Sequence, residues 1–154
     1  AVNANMPVIE VASQRIFKIF KKIVKKGHKI LQNVIEEELH QLRIDCKKLR
    51  YLLEFFSVLY PQEKISYIVK QLKKLQDNLG AINDFHVQQT YLESFADEMS
   101  LKGKNQKKTI LAIGNLIGVL ETGKQQTIDD FKKVFSEFAS AKNETLFKAL
   151  FNTK

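Results

Sequence analysis

The chain has one cysteine, Cys46, in 154 residues, which excludes an intrachain disulfide and fits a reducing compartment. Cys46 falls on the apolar side of its helix, so a small buried hydrophobe is expected there rather than a nucleophile. Proline occurs twice and glycine six times. With so few breakers, long 3.6-residue periodicities dominate and imply an all-α protein. No run reaches ~18 apolar residues, so no membrane span is expected, and no secretory leader is visible. Residues Ala1 to Pro7 read as a cut end rather than a natural start. Paired carboxylates in an acid/base setting, a nucleophile–base pair and a nucleotide fingerprint are all missing. The expectation is a non-enzymatic protein with no catalytic residue, no metal and no cofactor.

Acidic residues are also scarce over one long stretch. From Arg15 to Lys29 there are seven cations in fifteen residues and no acid, so i,i+4 ion pairs cannot neutralise them. From Arg15 to Arg50, eleven Lys/Arg face only Glu36, Glu37, Glu38 and Asp45, which places +7 of the chain's +8 net charge in this segment. A basic excess of that size calls for a negatively charged partner.

The length suggests one domain, residues 1–154, with a sizeable core. The first helix is expected from Pro7 to Lys26, with Gly27 as its stop. The second spans about Asn33 to Leu59, opened by Glu36, Glu37 and Glu38 and ended by Pro61. A third runs from Gln62 to Leu79, closed by Gly80, and Asn83 or Asp84 caps a fourth reaching Met99. A polar loop over Ser100 to Gln106 leads to a long helix from Lys107 to about Ser140, continuous or broken near Gly123. A short helix over Glu144 to Phe151 follows. The expected architecture is an antiparallel helical bundle: a four-helix region over 7–99, completed by C-terminal helices over 107–152. Phe17, Phe20, Phe55, Phe56, Phe131, Phe135 and Phe138 sit at core spacings. Gly114 and Gly118 have the spacing that permits close helix approach.

The run from Leu39 to Tyr51 is the most specific feature. At about 100° per residue, His40, Arg43, Lys47, Arg50 and Tyr51 share an arc of roughly 100°. Leu39, Leu42, Cys46, Leu49 and Leu53 fill the adjacent sector. Cations lined up beside an apolar face read either as a solvated face with apolar stems or as an anion site. Arginine favours the second reading, because its forked donors match phosphate oxygens. The same offsets recur in the first helix at Arg15, Lys18, Lys22, Lys25 and Lys26. If the two helices pack on their apolar faces, both stripes can border one groove.

His40 has three readings: a structural hydrogen-bonder, a metal ligand and a phosphotransfer site. No histidine pair has the i,i+4 spacing of a helical zinc site. Phosphotransfer needs an exposed imidazole with small neighbours, which Gln41, Leu42 and Ile44 do not supply. Tyr51 reads as a core-edge aromatic with a wet hydroxyl or as a donor to an anion. Base stacking needs several exposed aromatics among the cations, so core-spaced phenylalanines make nucleic acid the weaker partner. The second block, Leu72 to Asp84, reads as a helix end, a Gly80 turn and an Asx cap, with Lys73 or Lys74 within reach of the groove.

Together these blocks resemble the CHAD family, the conserved-histidine α-helical domain. The family's His-x-Leu-Arg-x-x-x-Lys-x-x-Arg-Tyr pattern appears here as His40, Leu42, Arg43, Lys47, Arg50 and Tyr51. Its Leu-Lys-x-Leu-Gln-x-x-Leu-Gly block appears as Leu72, Lys73, Leu75, Gln76, Leu79 and Gly80, with Asn83 and Asp84 after. The similarity is specific over about Ala12 to Val87. The resemblance implies a four-helix-bundle-based fold that binds inorganic polyphosphate through basic helix faces. The implied binding residues are His40, Arg43, Lys47, Arg50, Tyr51 and Lys73, with Arg15, Lys18 and Lys22 on the preceding basic helix. It also implies a cytoplasmic protein associated with polyphosphate granules. The family domain usually has two related halves, and this chain resembles the second alone. It is therefore expected to be a fragment or to pair with another copy.

Overall fold

A computed structural model describes residues 7–99 and 104–152. Among them are five α-helices and no strand: α1 (Val8–Gln32), α2 (Glu36–Phe55), α3 (Gln62–Glu98), α4 (Lys104–Phe138) and α5 (Ala141–Phe151). A 3-10 turn, Ser57–Leu59, links α2 to α3. The expected all-α class is what the chain adopts. The helix count over 7–99 is three rather than four, because Gly80 does not end a helix and the expected third and fourth are one; Gly27 does not end α1 either, which lengthens it.

Gly27 lies inside α1, buried. Its neighbours Ile16, Phe20, Ile23 and Ile30 continue one buried face past it, and the absence of a side chain lets the Phe135 ring of α4 lie against the backbone. Helix α1 therefore ends at Asn33, whose extended backbone donates its N–H to the Lys29 carbonyl at 3.2 Å. Gly80 lies inside α3, where Leu72, Leu75, Leu79 and Ile82 form one buried row across it. Packing of that row outweighs the local turn signal. Asn83 and Asp84 are interior residues of α3 rather than caps. A Cβ at Gly80 would meet nothing within 4 Å. Gly80→Ala should therefore raise stability by about 0.5–1 kcal/mol, the usual helix-interior difference, seen as a higher urea midpoint.

Pro7 and Pro61 stand at the N-caps of α1 and α3, where a missing N–H costs nothing. Ser140 caps α5, its Oγ accepting from the Asn143 N–H at 3.3 Å. Residues 104–106, expected in a loop, form the first turn of α4, which is unbroken at Gly123. The rest of that loop, residues 100–103, lies outside the described residues.

Helices α1, α2, α3 and the C-terminal half of α4 enclose the core, and α5 packs on α1. The α1–α4 side is filled by aromatic rings. Phe20 stacks on Phe147 at 3.8 Å between centroids and meets Phe138 at 5.8 Å. Large rings fit here because α1 and α4 do not approach closely along their length. Phe55 departs from its expected core position: it is 78% exposed at the end of α2, with its edge toward Phe56. Gly114 and Gly118 also depart, since a Cβ on either would meet nothing within 4 Å. They line an open cleft between α3 and α4 rather than a close helix contact. None of the described helices is long and apolar enough to cross a membrane.

Candidate anion-binding site

The buried face of α2 (Leu39, Leu42, Cys46, Leu49, Leu53) fixes which way its polar residues point. Arg43, Lys47 and Arg50 fall to one side of it and Asp45 to the other. Asp45 is buried against α1. Its carboxylate accepts from Lys26 Nζ at 2.6 Å and lies 3.6 Å from Lys22 Nζ. One turn away, Lys29 pairs with Glu38 at 2.9 Å. Part of the α1 cation excess is thus the counter-charge of α2, holding two core helices together. A buried carboxylate needs such partners. Sequence reading counted Asp45 only as an acid; its place beside Leu42 and Leu49 on the wheel was the signal of a buried role.

The two basic rows border different clefts. Arg15, Lys18 and Lys22 line a cleft of about 460 Å³ between α1 and α2, with Gln14, Ile19 and Leu52. His40 and Arg43 line another, of about 440 Å³, between α2 and α3, with Leu79, Ile82, Asn83 and His86. No residue lines both. The single groove expected from the repeated offsets is therefore replaced by two clefts flanking α2. The outer face of α2 lies between them, carrying Lys48 and Tyr51, the latter 64% exposed. Lys73 is exposed on α3 and lines neither cleft.

Ion pairing sorts the cations. Arg50 Nε donates to Glu54 Oε1 at 2.8 Å, and that hydrogen bond, reinforced by the Glu54 charge, holds its guanidinium pKa above the ordinary value. Among the described residues, Arg15, Lys18, Arg43, Lys47 and Lys73 form no ion pair with a carboxylate. Their charge is available to an incoming anion. The Cys46 thiol is buried in the core under this surface, and burial, then the Asp45 charge, push its pKa far up.

Asn83 and His86 enter the α2–α3 cleft because α3 is unbroken, which is why sequence reading missed them. The cleft closes on a polar cluster. His86 Nδ1 lies 3.2 Å from Glu36 Oε2. Buried Lys124 of α4 donates to Glu36 Oε1 at 2.6 Å and to Gln89 Oε1 at 2.9 Å, and lies 3.3 Å from Glu121. Burial opposes the Lys124 charge, but hydrogen bonds to Glu36 and Glu121 outweigh it and raise its pKa. The Gln89 amide, then Lys124, lower that of Glu121. Lys124 is consumed by this cluster, which ties the start of α2 to α3 and α4. His40 is exposed at the cleft wall, and no three His, Cys, Asp or Glu side chains of the described residues converge on a metal geometry.

No curated protein matches the chain. A family comparison does: the CHAD domain matches residues 1–93. That span runs from α1 through most of α3, so it includes both basic rows and both sequence blocks. By that match the chain belongs to the CHAD domain family.

Proposed function

We propose that the protein binds inorganic polyphosphate, without catalysis, along the α2 row of His40, Arg43, Lys47, Arg50 and Tyr51. Lys73 lies on the adjoining helix, and Arg15, Lys18 and Lys22 form a second contact line across α2. The observation that carries the reading is the pairing pattern. Lys26, Lys29 and Lys124 are committed to carboxylates, while Arg43 at the wall of the α2–α3 cleft and Lys47 one turn further along α2 have no carboxylate partner among the described residues. CHAD domains are associated with polyphosphate binding. A chain of closely spaced phosphates needs no base readout, and a row of cations along a helix offers none. In this reading the protein acts in the cytoplasm, at polyphosphate granules.

Polyanion binding of this kind is driven by counterion release, so affinity should fall linearly with salt on logarithmic axes. By analogy with single-stranded nucleic acid, each neutralised phosphate contributes roughly −0.7 to the slope. A chain seated only on Arg43, Lys47 and Arg50 gives about −2. One that also reaches Arg15 and Lys18 gives about −3.5. Titrating polyphosphate affinity between low and high salt measures this directly, and a slope near zero would remove the reading. Tyr51 and Phe55 expose aromatic surface one helical turn apart beside Arg50, so RNA at matched phosphate concentration is the competitor to include. Base-dependent preference for RNA would replace polyphosphate as the ligand.

A further inference from the structure

The distal half of the α3–α4 hairpin carries an apolar surface that nothing among the described residues covers. Between Lys108 and Glu121, α4 has no charged residue. A helix that is apolar over most of its circumference is normally buried. Yet Leu111 and Val119 are 69% and 67% exposed, and Tyr91 on α3 is 70% exposed. Tyr91, Leu92, Leu116 and Leu120 line a cleft between the two helices. An apolar patch of this kind marks an interaction surface. The CHAD match ends at residue 93, before α4 begins.

The order of charges along α4 identifies the occupant. At about 100° per residue, Lys108, Asn115, Val119, Thr122, Gln126 and Asp130 share an arc of roughly 80°, and all are exposed. Lys107 and Lys108 stand at one end of the uncharged stretch. Asp129 and Asp130 stand beyond the other. None of these four forms an ion pair among the described residues. The side-chain donors to the two aspartates among the described residues are Gln125 and Gln126, at 3.3 and 3.4 Å. The midpoint between the two charged pairs falls at Gly118 and Val119. An identical helix laid antiparallel across that midpoint sets Lys107 and Lys108 of each copy opposite Asp129 and Asp130 of the other. The facing surfaces bring the Val119 side chains of the two copies together, with Leu111 on one flank and Leu116 on the other. A face complementary to its own reversal fits a two-fold, isologous contact. An anionic lipid surface or RNA would meet the aspartates as repulsion.

We propose that the outer face of α4 is a self-association surface, on which two copies of the chain pair antiparallel about Gly118 and Val119. The pairing stands independently of the polyphosphate reading. Sedimentation equilibrium at about 0.1 M salt, where close charge pairs are only partly screened, tests it. The wild-type chain should sediment at twice its 17.8 kDa mass at micromolar concentration. Lys107→Glu with Lys108→Glu puts four acids at each end of the pair, and Asp129→Lys with Asp130→Lys puts four cations there. Each double variant should dissociate at least about tenfold more readily, and an equimolar mixture of the two should dimerise again. All four positions are exposed on one helix, and circular dichroism reports whether either variant unfolds. A wild-type chain that stays monomeric at 100-fold higher concentration overturns the proposal. So does a dimer indifferent to both variants, or a mixture of folded variants that stays monomeric.

Discussion

Reversing Arg43, Lys47 and Arg50 to glutamate is expected to weaken polyphosphate binding at least about 100-fold at 0.1 M salt while leaving helicity intact. A hydrogen bond to a charged group contributes about 1.5–3 kcal/mol, so three lost phosphate contacts exceed the 2.7 kcal/mol or so that 100-fold requires. The α1 row, in a separate cleft, retains weak residual attraction. Repulsion from three new carboxylates opposes it. The fold should survive, because all three side chains are only half-buried and their buried neighbours Leu42, Cys46 and Leu49 are untouched. The one local penalty is Arg50→Glu beside Glu54, a like-charge i,i+4 pair worth a few tenths of a kcal/mol. Glutamine at the same three positions keeps the stems packed, removes charge without adding repulsion, and should fall between wild type and the reversal. Lys29→Gln is the internal control. Lys29 is already committed to Glu38, so its loss should shift affinity by less than about twofold. Isothermal titration with polyphosphate of defined length reads all three, and unchanged affinity in a folded triple reversal would sink the assignment.

The contrast between Lys29 and Lys47 shows what was legible in sequence and what was not. The stripes themselves were readable, because a 3.6-residue period and a basic composition are local properties. So was nearly all of α2, whose acidic first turn and Leu-rich face agree with each other. Which cations remain unpaired depends on the helix facing them, and that is set by rotational phase between α1 and α2. Asp45 and Glu38 point to the α1 side, whereas Arg43 and Lys47 point away from it. The single groove split into two clefts for the same reason. Gly27 and Gly80 were misread because a glycine after a run of lysines or leucines satisfies the local stop pattern. In both places the apolar row continues beyond the glycine, at Ile30, three residues after Gly27, and at Ile82, three residues after Leu79. Packing of that continued row decides the matter. Asn83 and His86 then join the cleft as a consequence of the unbroken α3.

Gly27→Ala should be among the most destabilising single-methyl changes in the protein, although alanine is the better helix former. The propensity gain is about 1 kcal/mol. Against it, the new Cβ would overlap the Cε1, Cζ and Cδ1 atoms of Phe135. That ring has no room to retreat. It is fully buried, stacked on Phe131 with centroids 5.5 Å apart, and held edge-to-face by His28 at 5.3 Å. Overpacking a rigid core site typically costs 1–3 kcal/mol and sometimes more, and here either α1 must move off α4 or the ring must leave its rotamer. A net loss of up to about 2 kcal/mol is expected, lowering the midpoint of thermal unfolding by roughly 4–8 °C for a chain of this size. The cause is testable apart from the size. Phe135→Leu alone leaves a cavity and destabilises, but combined with Gly27→Ala it gives the methyl group space. The double variant should therefore be clearly more stable than the sum of the two single losses, a coupling of about 1 kcal/mol or more. Strict additivity would mean that the methyl group is resisted by something other than the Phe135 ring.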